Sequence, residues 1–234
     1  MTTSRDLMII AMEAASSRPV DQGDVSLALA GAEVVDLLAA DAVTLDGDRI
    51  VPGLGPATGD PLLDQAVASL DRDAPYERVG DWLWRRGRGL SAAYVAALEA
   101  DGLFGRQRRR GLSFRAGRDA PADSPERRTA AERLASEEPV LAALASAVGL
   151  RGGGTPGGQD GTGREGEGGT GEAEEAEEAG EAGEAGEGPG DSPGVSDDVD
   201  TVLAAVLDAL TQLEAIRQRR SVEQAAFDNI WRGD

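Results

Sequence analysis

The feature that most constrains this fold is a helix followed at once by a tight hairpin, early in the chain. Residues 24–40 carry apolar side chains at the i, i+4, i+7 spacing of an amphipathic helix. Residues 43–51 then alternate as two short strands around Asp46-Gly47, which supplies the positive φ angles of a two-residue turn. The 234-residue chain is thus predicted to begin as a helical protein with a protruding hairpin.

A second unit of the same kind follows. A helix is predicted at 91–100, and it ends at Asp101-Gly102, where glycine suits the left-handed C-terminal cap. Strands near Leu103 and Phe114 would form a second hairpin with a basic tip. The two units together predict a mainly α fold, a helical bundle with two or more protruding β-hairpins.

The helix at 24–40 is predicted in more detail. Asp24 is its expected N-cap. Ser26, Glu33 and Asp36 fall off the apolar stripe, and Asp36 is expected to face solvent. Asp60 and Pro61 are predicted to be the N-cap and the first helical residue of the next helix. Further helices are predicted at 5–15, at 77–86 and, as two helices parted by Pro139, at 125–148.

Residues 151–196 consist largely of Gly, Glu and Ala and offer almost no side chain to bury. Such a composition predicts a disordered, self-repelling acidic linker. The chain is therefore expected to contain a helical and hairpin domain at 1–150, this linker, and C-terminal helices at 197–234 that dock on the first domain. Residues 151–200 carry 15 acidic and two basic residues, so most of the net charge of −20 falls there.

Composition excludes several classes of chemistry. The chain has no Cys, His or Lys, and all 23 basic residues are Arg. A conventional zinc site, a Ser-His-Asp triad, a thiolate nucleophile and a complete P-loop are therefore impossible. We expect no enzyme, no metal and no cofactor. The bias towards Ala, Gly and Arg favours a bacterial origin, and without an apolar run of bilayer length we expect a cytoplasmic protein.

A basic island contrasts with the acidic remainder. Residues 85–118 contain nine Arg, opposed only by Glu99 and Asp101, and six of the eight aromatic residues lie between 76 and 114. Guanidinium groups suit phosphate because their planar fork donates two parallel hydrogen bonds. Trp84 and Arg88, one turn apart if the helix continues, are a candidate cation–π pair. The candidate lipid- or anion-binding residues are Arg85, Arg86, Arg88, Arg108, Arg109 and Arg110, and the candidate membrane-contacting residues are Leu112 and Phe114.

The order of elements, with its central Pro56-Ala-Thr58-Gly-Asp60-Pro-Leu-Leu-Asp64 segment, resembles the Golgi phosphoprotein 3 family. The resemblance implies a helical bundle with protruding hairpins. Eukaryotic members bind phosphatidylinositol 4-phosphate on membranes and bridge Golgi glycosyltransferases to a vesicle coat. Their lipid pocket uses a loop Trp, an Arg in a Leu-Arg-Gly step and two basic residues on a later helix.

This chain departs from that pattern. The Leu-Arg-Gly step reads Leu29-Ala30-Gly31, and the loop Trp position falls near Asp21. The two later basic positions fall on Arg88 and near Ser91, so one polar anchor of four is retained. The resemblance therefore implies lipid binding through a different arrangement of Arg.

Three functions compete at this stage. The first is a peripheral protein that recognises anionic, phosphoinositide-type head groups on the inner face of the membrane and carries a protein cargo. The second is a winged-helix-like nucleic-acid-binding protein with the second hairpin as its wing; the overall acidity makes this partner less favoured. The third, ranked last, is an enzyme that uses the carboxylates of Asp36, Asp60 or Asp64. Neither the cargo nor the oligomeric state follows from the sequence.

Overall fold

The computed structural model describes residues 2–55, 57–104, 124–150 and 197–232. Within these ranges the chain forms eight helices and one two-stranded antiparallel sheet, so the mainly α fold is confirmed. In chain order the elements are α1 (Thr3–Ala15), α2 (Gln22–Ala39), β1 (Val43–Asp46), β2 (Arg49–Pro52), α3 (Pro61–Ala68), α4 (Val79–Arg86), α5 (Leu90–Ala100), α6 (Pro125–Ala135), α7 (Pro139–Ala147) and α8 (Asp197–Arg232).

The first hairpin lies where the sequence places it, but its turn is displaced by one residue. Asp46 pairs with Arg49, so the two central residues of the turn are Gly47 and Asp48 rather than Asp46 and Gly47. Gly47 has φ 62°, a value that glycine adopts without steric cost. Most of the second predicted hairpin and the whole 151–196 segment lie outside the described residues.

Helix starts are set by acidic caps. Asp60 accepts hydrogen bonds from the backbone N–H groups of Leu62 and Leu63, with Pro61 at the first helical position, as its sequence indicates. The predicted cap of α2 is wrong, because Asp21 rather than Asp24 accepts from the first N–H groups of that helix. The helix therefore begins two residues before Asp24.

Helix α2 is the centre of the core, in contact with α1, α3, α4, α5, α7 and α8. Helix α8 buries Val202 and Val206 and packs against α2 and α4. The approach of α8 depends on Gly31, since a Cβ atom there would lie 2.3 Å from a methyl carbon of Val206. The absence of a side chain at Gly31 is what lets the two helices meet.

Helix α2 is covered on nearly all sides, so the polar residues off its apolar stripe are not exposed to solvent. Ser26 and Glu33 are buried, and Asp36 is half-buried. The carboxylate of Asp36 accepts hydrogen bonds from the backbone N–H groups of Thr3 and Ser4 at 2.7 and 2.9 Å, and from the Ser4 hydroxyl. Asp36 thus anchors the first turn of α1 on α2, and burial raises the pKa of its carboxyl.

Candidate functional site

Arg85, in the last turn of α4, is already paired. Its guanidinium donates to both carboxylate oxygens of Glu77 at 2.8 and 2.6 Å and to the carbonyl oxygen of Ser69 at 3.1 Å. It also lies over the ring of Trp82, with the guanidinium carbon 5.0 Å from the ring centroid. These contacts hold the α3–α4 connection against α4 and neutralise the charge of Arg85.

Arg86 belongs to the interior rather than to an anion-binding surface, which corrects its assignment from the sequence. Its guanidinium makes a bidentate ion pair with Glu33 at 2.7 and 2.8 Å and donates to the Leu62 carbonyl oxygen at 2.9 Å. The Glu33 side chain is fully buried, and that of Arg86 is 15% exposed. Tyr94 completes the network by donating its hydroxyl to Glu33 at 3.1 Å.

Burial explains the electrostatics of this network. Removal of water raises the pKa of the Glu33 carboxyl, and the bidentate contact with Arg86 opposes that shift. With Arg86 in place, Glu33 is a paired buried charge. Without it, the same carboxyl would be an unpaired buried charge, which folded proteins rarely tolerate.

Arg88, two residues further on, has a different environment. Helix α4 ends at Arg86, so Arg88 lies in the turn before α5 and is exposed to solvent. Among the described residues it has no carboxylate partner. The predicted Trp84–Arg88 ring contact is not formed, because the helix does not continue to Arg88; the cation over a ring in this region is Arg85, on Trp82.

Arg88 lines a groove of about 330 Å³ between α2, the α4–α5 turn and α8, which we call the Arg88 groove. Among the described residues, Arg88 is the one charged residue in its lining, and half-buried Trp84 forms part of its wall. The groove also includes the start of α5. There Gly89 has φ 71° and carries no capping side chain, while the N–H group of Leu90 donates to the Gly87 carbonyl oxygen at 3.2 Å.

The floor of the Arg88 groove is fixed by a buried pair of hydroxyls. Ser26 of α2 and Ser91 of α5 lie 2.9 Å apart, and the backbone N–H of Ser91 donates to the Ser26 hydroxyl at 3.2 Å. Both serines line the groove. This contact between α2 and α5 could not be read from the sequence, where the two residues are 65 positions apart.

The structure brings together two of the four positions that correspond to the eukaryotic anchors. Arg88 and Ser91 line the Arg88 groove, and so does Gln22, the neighbour of Asp21. Ala30, at the position of the family arginine, is buried, and its carbonyl oxygen accepts from the indole N–H of Trp82 at 3.2 Å. One guanidinium therefore stands where the family pattern has several polar groups.

The remaining predicted site residues cannot be placed. Arg108, Arg109, Arg110, Leu112 and Phe114 lie outside the described residues, as does the proposed nucleic-acid-binding wing beyond Phe104.

The carboxylates considered for catalysis have structural roles. Asp60 caps α3, and Asp36 anchors α1. Asp64, expected to face solvent, accepts from the backbone N–H of Thr58 at 2.8 Å and from its hydroxyl at 3.0 Å. These contacts hold the loop before α3 in place.

None of the helices in the described part of the chain has an apolar run that could span a bilayer.

Comparison with known proteins assigns the chain to a family. No curated protein and no solved structure matches the chain. The model of the Golgi phosphoprotein 3 (GPP34) family, in contrast, matches residues 4–230. Because this match covers nearly the whole chain, the protein belongs to the Golgi phosphoprotein 3 family.

Proposed function

We propose that the protein is a peripheral membrane-binding protein that recognises anionic, phosphoinositide-type head groups, and that it carries out no chemistry of its own. The observation that carries the proposal is the exposed guanidinium of Arg88, which lies just before α5 in a groove whose described lining contains no carboxylate. Family membership supports it, because lipid binding is a property of the family.

The geometry suits a phosphate group in two ways. A guanidinium binds phosphate through directed, charge-assisted hydrogen bonds. The N-terminus of a helix adds a partial positive charge that acts within its first turn. Arg88 and the start of α5 lie in one groove, so a phosphate there would meet both.

The overall charge of −20 does not prevent contact with an anionic surface. At physiological ionic strength exposed charges are screened beyond a Debye length of about 8 Å. The charge close to the binding site therefore matters most, and the described part of the Arg88 groove lining has one positive and no negative side chain. The three consecutive arginines at 108–110, whose placement is not described, extend the proposal by their charge alone.

A vesicle flotation assay tests the proposal. Wild-type protein is expected to float with phosphatidylcholine vesicles that contain phosphatidylinositol 4-phosphate and to remain at the bottom with pure phosphatidylcholine. Because one basic residue near an anionic surface contributes about 1 kcal/mol, Arg88→Ala should lower the apparent affinity roughly fivefold. Replacement of Arg108, Arg109 and Arg110 together by Ala should lower it further.

Arg72→Ala is the matched control. Arg72 is exposed and is not part of the Arg88 groove, so its loss removes one surface charge without changing the proposed site. Vesicles with phosphatidylserine separate a general requirement for negative charge from head-group recognition. Equal recovery with neutral and anionic vesicles, unchanged by Arg88→Ala and by the triple substitution, would refute lipid recognition.

A further inference from the structure

A second groove lies beside the Arg88 groove, and its lining is mainly apolar. We call it the apolar groove; it has a volume of about 440 Å³ and runs between α1, the start of α2 and α5. Its walls include Met8 and Met12 of α1, Val25 of α2 and Val95 of α5. This volume is within the range of about 300–1,000 Å³ that is typical of small-molecule sites.

The groove exists because the two helices that flank it carry small residues there. Ala11 and Ala15 of α1, and Ala92 and Ala96 of α5, all line it. Larger side chains at these positions would fill the cleft, as close packing normally does in a protein interior. The flanking methionines are flexible and polarisable, so they can adapt to an irregular apolar ligand.

The two grooves are adjacent. Gln22, Ser91 and Ala92 contribute to the lining of both. In the part of the chain that the structure describes, Arg88 is the one charged residue lining the Arg88 groove, and Glu99 is the one lining the apolar groove. A ligand that covers both must therefore have a negative end near Arg88 and an uncharged, apolar body.

We infer that the apolar groove holds one acyl chain of the anionic phospholipid whose phosphate lies at Arg88, an inference that rests on the proposed function. The lipid lies along α5, with its head group at the positive N-terminal end of that helix and its chain directed towards Glu99. The carboxylate of Glu99 repels an anionic head group from the far end of the groove and so sets the orientation. Membrane binding then includes withdrawal of one chain from the bilayer.

Calorimetric titration with monomeric ligands tests this inference. Dioctanoyl phosphatidylinositol 4-phosphate is compared with its deacylated form, glycerophosphoinositol 4-phosphate, which keeps the head group and lacks the chains. Wild-type protein is expected to bind the acylated ligand at least about tenfold more tightly, which corresponds to burial of roughly two methylene groups. Ala96→Trp should remove this difference by filling the groove and leave binding of the deacylated ligand unchanged.

Ala93→Trp is the matched control, because Ala93 is exposed on the same helix and lines neither groove. A photoactivatable acyl chain provides a readout that needs no substitution, and mass spectrometry should locate its cross-links on the α1 and α5 segments around Met12 and Val95. Equal affinity for both ligands, or equal behaviour of Ala96→Trp and Ala93→Trp, would overturn the inference while lipid recognition stands. Failure of both ligands to bind, together with failure of wild-type flotation, would overturn the proposed function and this inference with it.

Discussion

Arg86→Ala is expected to be the most destabilising substitution of any arginine at the end of α4. It removes three hydrogen bonds, two to Glu33 and one to the Leu62 carbonyl oxygen. The Glu33 carboxylate then stays fully buried with no positive partner. Breaking a buried ion pair from one side typically costs about 3–5 kcal/mol.

This cost is measurable by thermal unfolding. For a protein of 150–250 residues, 1 kcal/mol shifts the melting temperature by about 2–4 °C, so Arg86→Ala should lower it by roughly 6–20 °C. Arg88→Ala is the matched control, because Arg88 is only two residues away but is exposed and has no carboxylate partner within the described ranges. Its melting temperature should stay within about 2 °C of the wild type, as expected for a surface substitution.

A double substitution separates charge from packing. Glu33→Gln with Arg86→Met removes both charges of this pair, and the glutamine side-chain oxygen can still accept from the Tyr94 hydroxyl. This variant should recover most of the stability lost in Arg86→Ala, although it changes two residues instead of one. If Arg86→Ala melts as the wild type does, or if the double variant is no more stable than the single one, then the buried ion pair does not have the role assigned to it.

Two further substitutions test the core. Gly31→Ala should destabilise by about 1–3 kcal/mol in urea unfolding, because the new methyl group overlaps Val206, whereas Gly80→Ala, which has open space around it, should be neutral or slightly stabilising. Asp6 is buried and paired with Arg133, and burial raises the pKa of its carboxyl. The native state therefore keeps this proton at a pH where the unfolded chain has released it. The contribution of Asp6 to stability falls as pH rises above about 3.9. Asp6→Asn should abolish that part of the pH dependence; an unchanged profile would refute the assignment.

Local signals in the sequence are sufficient for most of the helices. Asp60-Pro61 begins α3 as predicted, because both the cap and the missing proline N–H act within one helical turn. The start of α2 is less well determined, since Asp21 and Asp24 are both acceptable caps and only the path of the preceding chain decides between them. The hairpin turn is displaced by one residue for a similar reason, as Gly47 suits either central position.

The candidate site depends on contacts between distant residues, which periodicity does not report. Glu33 and Arg86 are 53 positions apart, and nothing near either residue indicates that they pair. Glu33 lies off the apolar stripe of α2, a position that is normally exposed to solvent. In this protein α4 and α5 cover that face of the helix instead. The burial of a charged residue can be predicted only together with its partner.

The number of arginines in the sequence therefore overestimates how many of them can bind an anion. Arg85, Arg86 and Arg88 lie within four consecutive residues, Arg85-Arg86-Gly87-Arg88, and therefore share the same neighbouring sequence. Arg85 and Arg86, in the last turn of α4, pair with Glu77 and Glu33. Helix α4 ends before Arg88, which has no carboxylate partner among the described residues. Since a guanidinium already paired with a carboxylate has little left to offer a phosphate, the end of α4 decides which arginine in this cluster is available for a ligand.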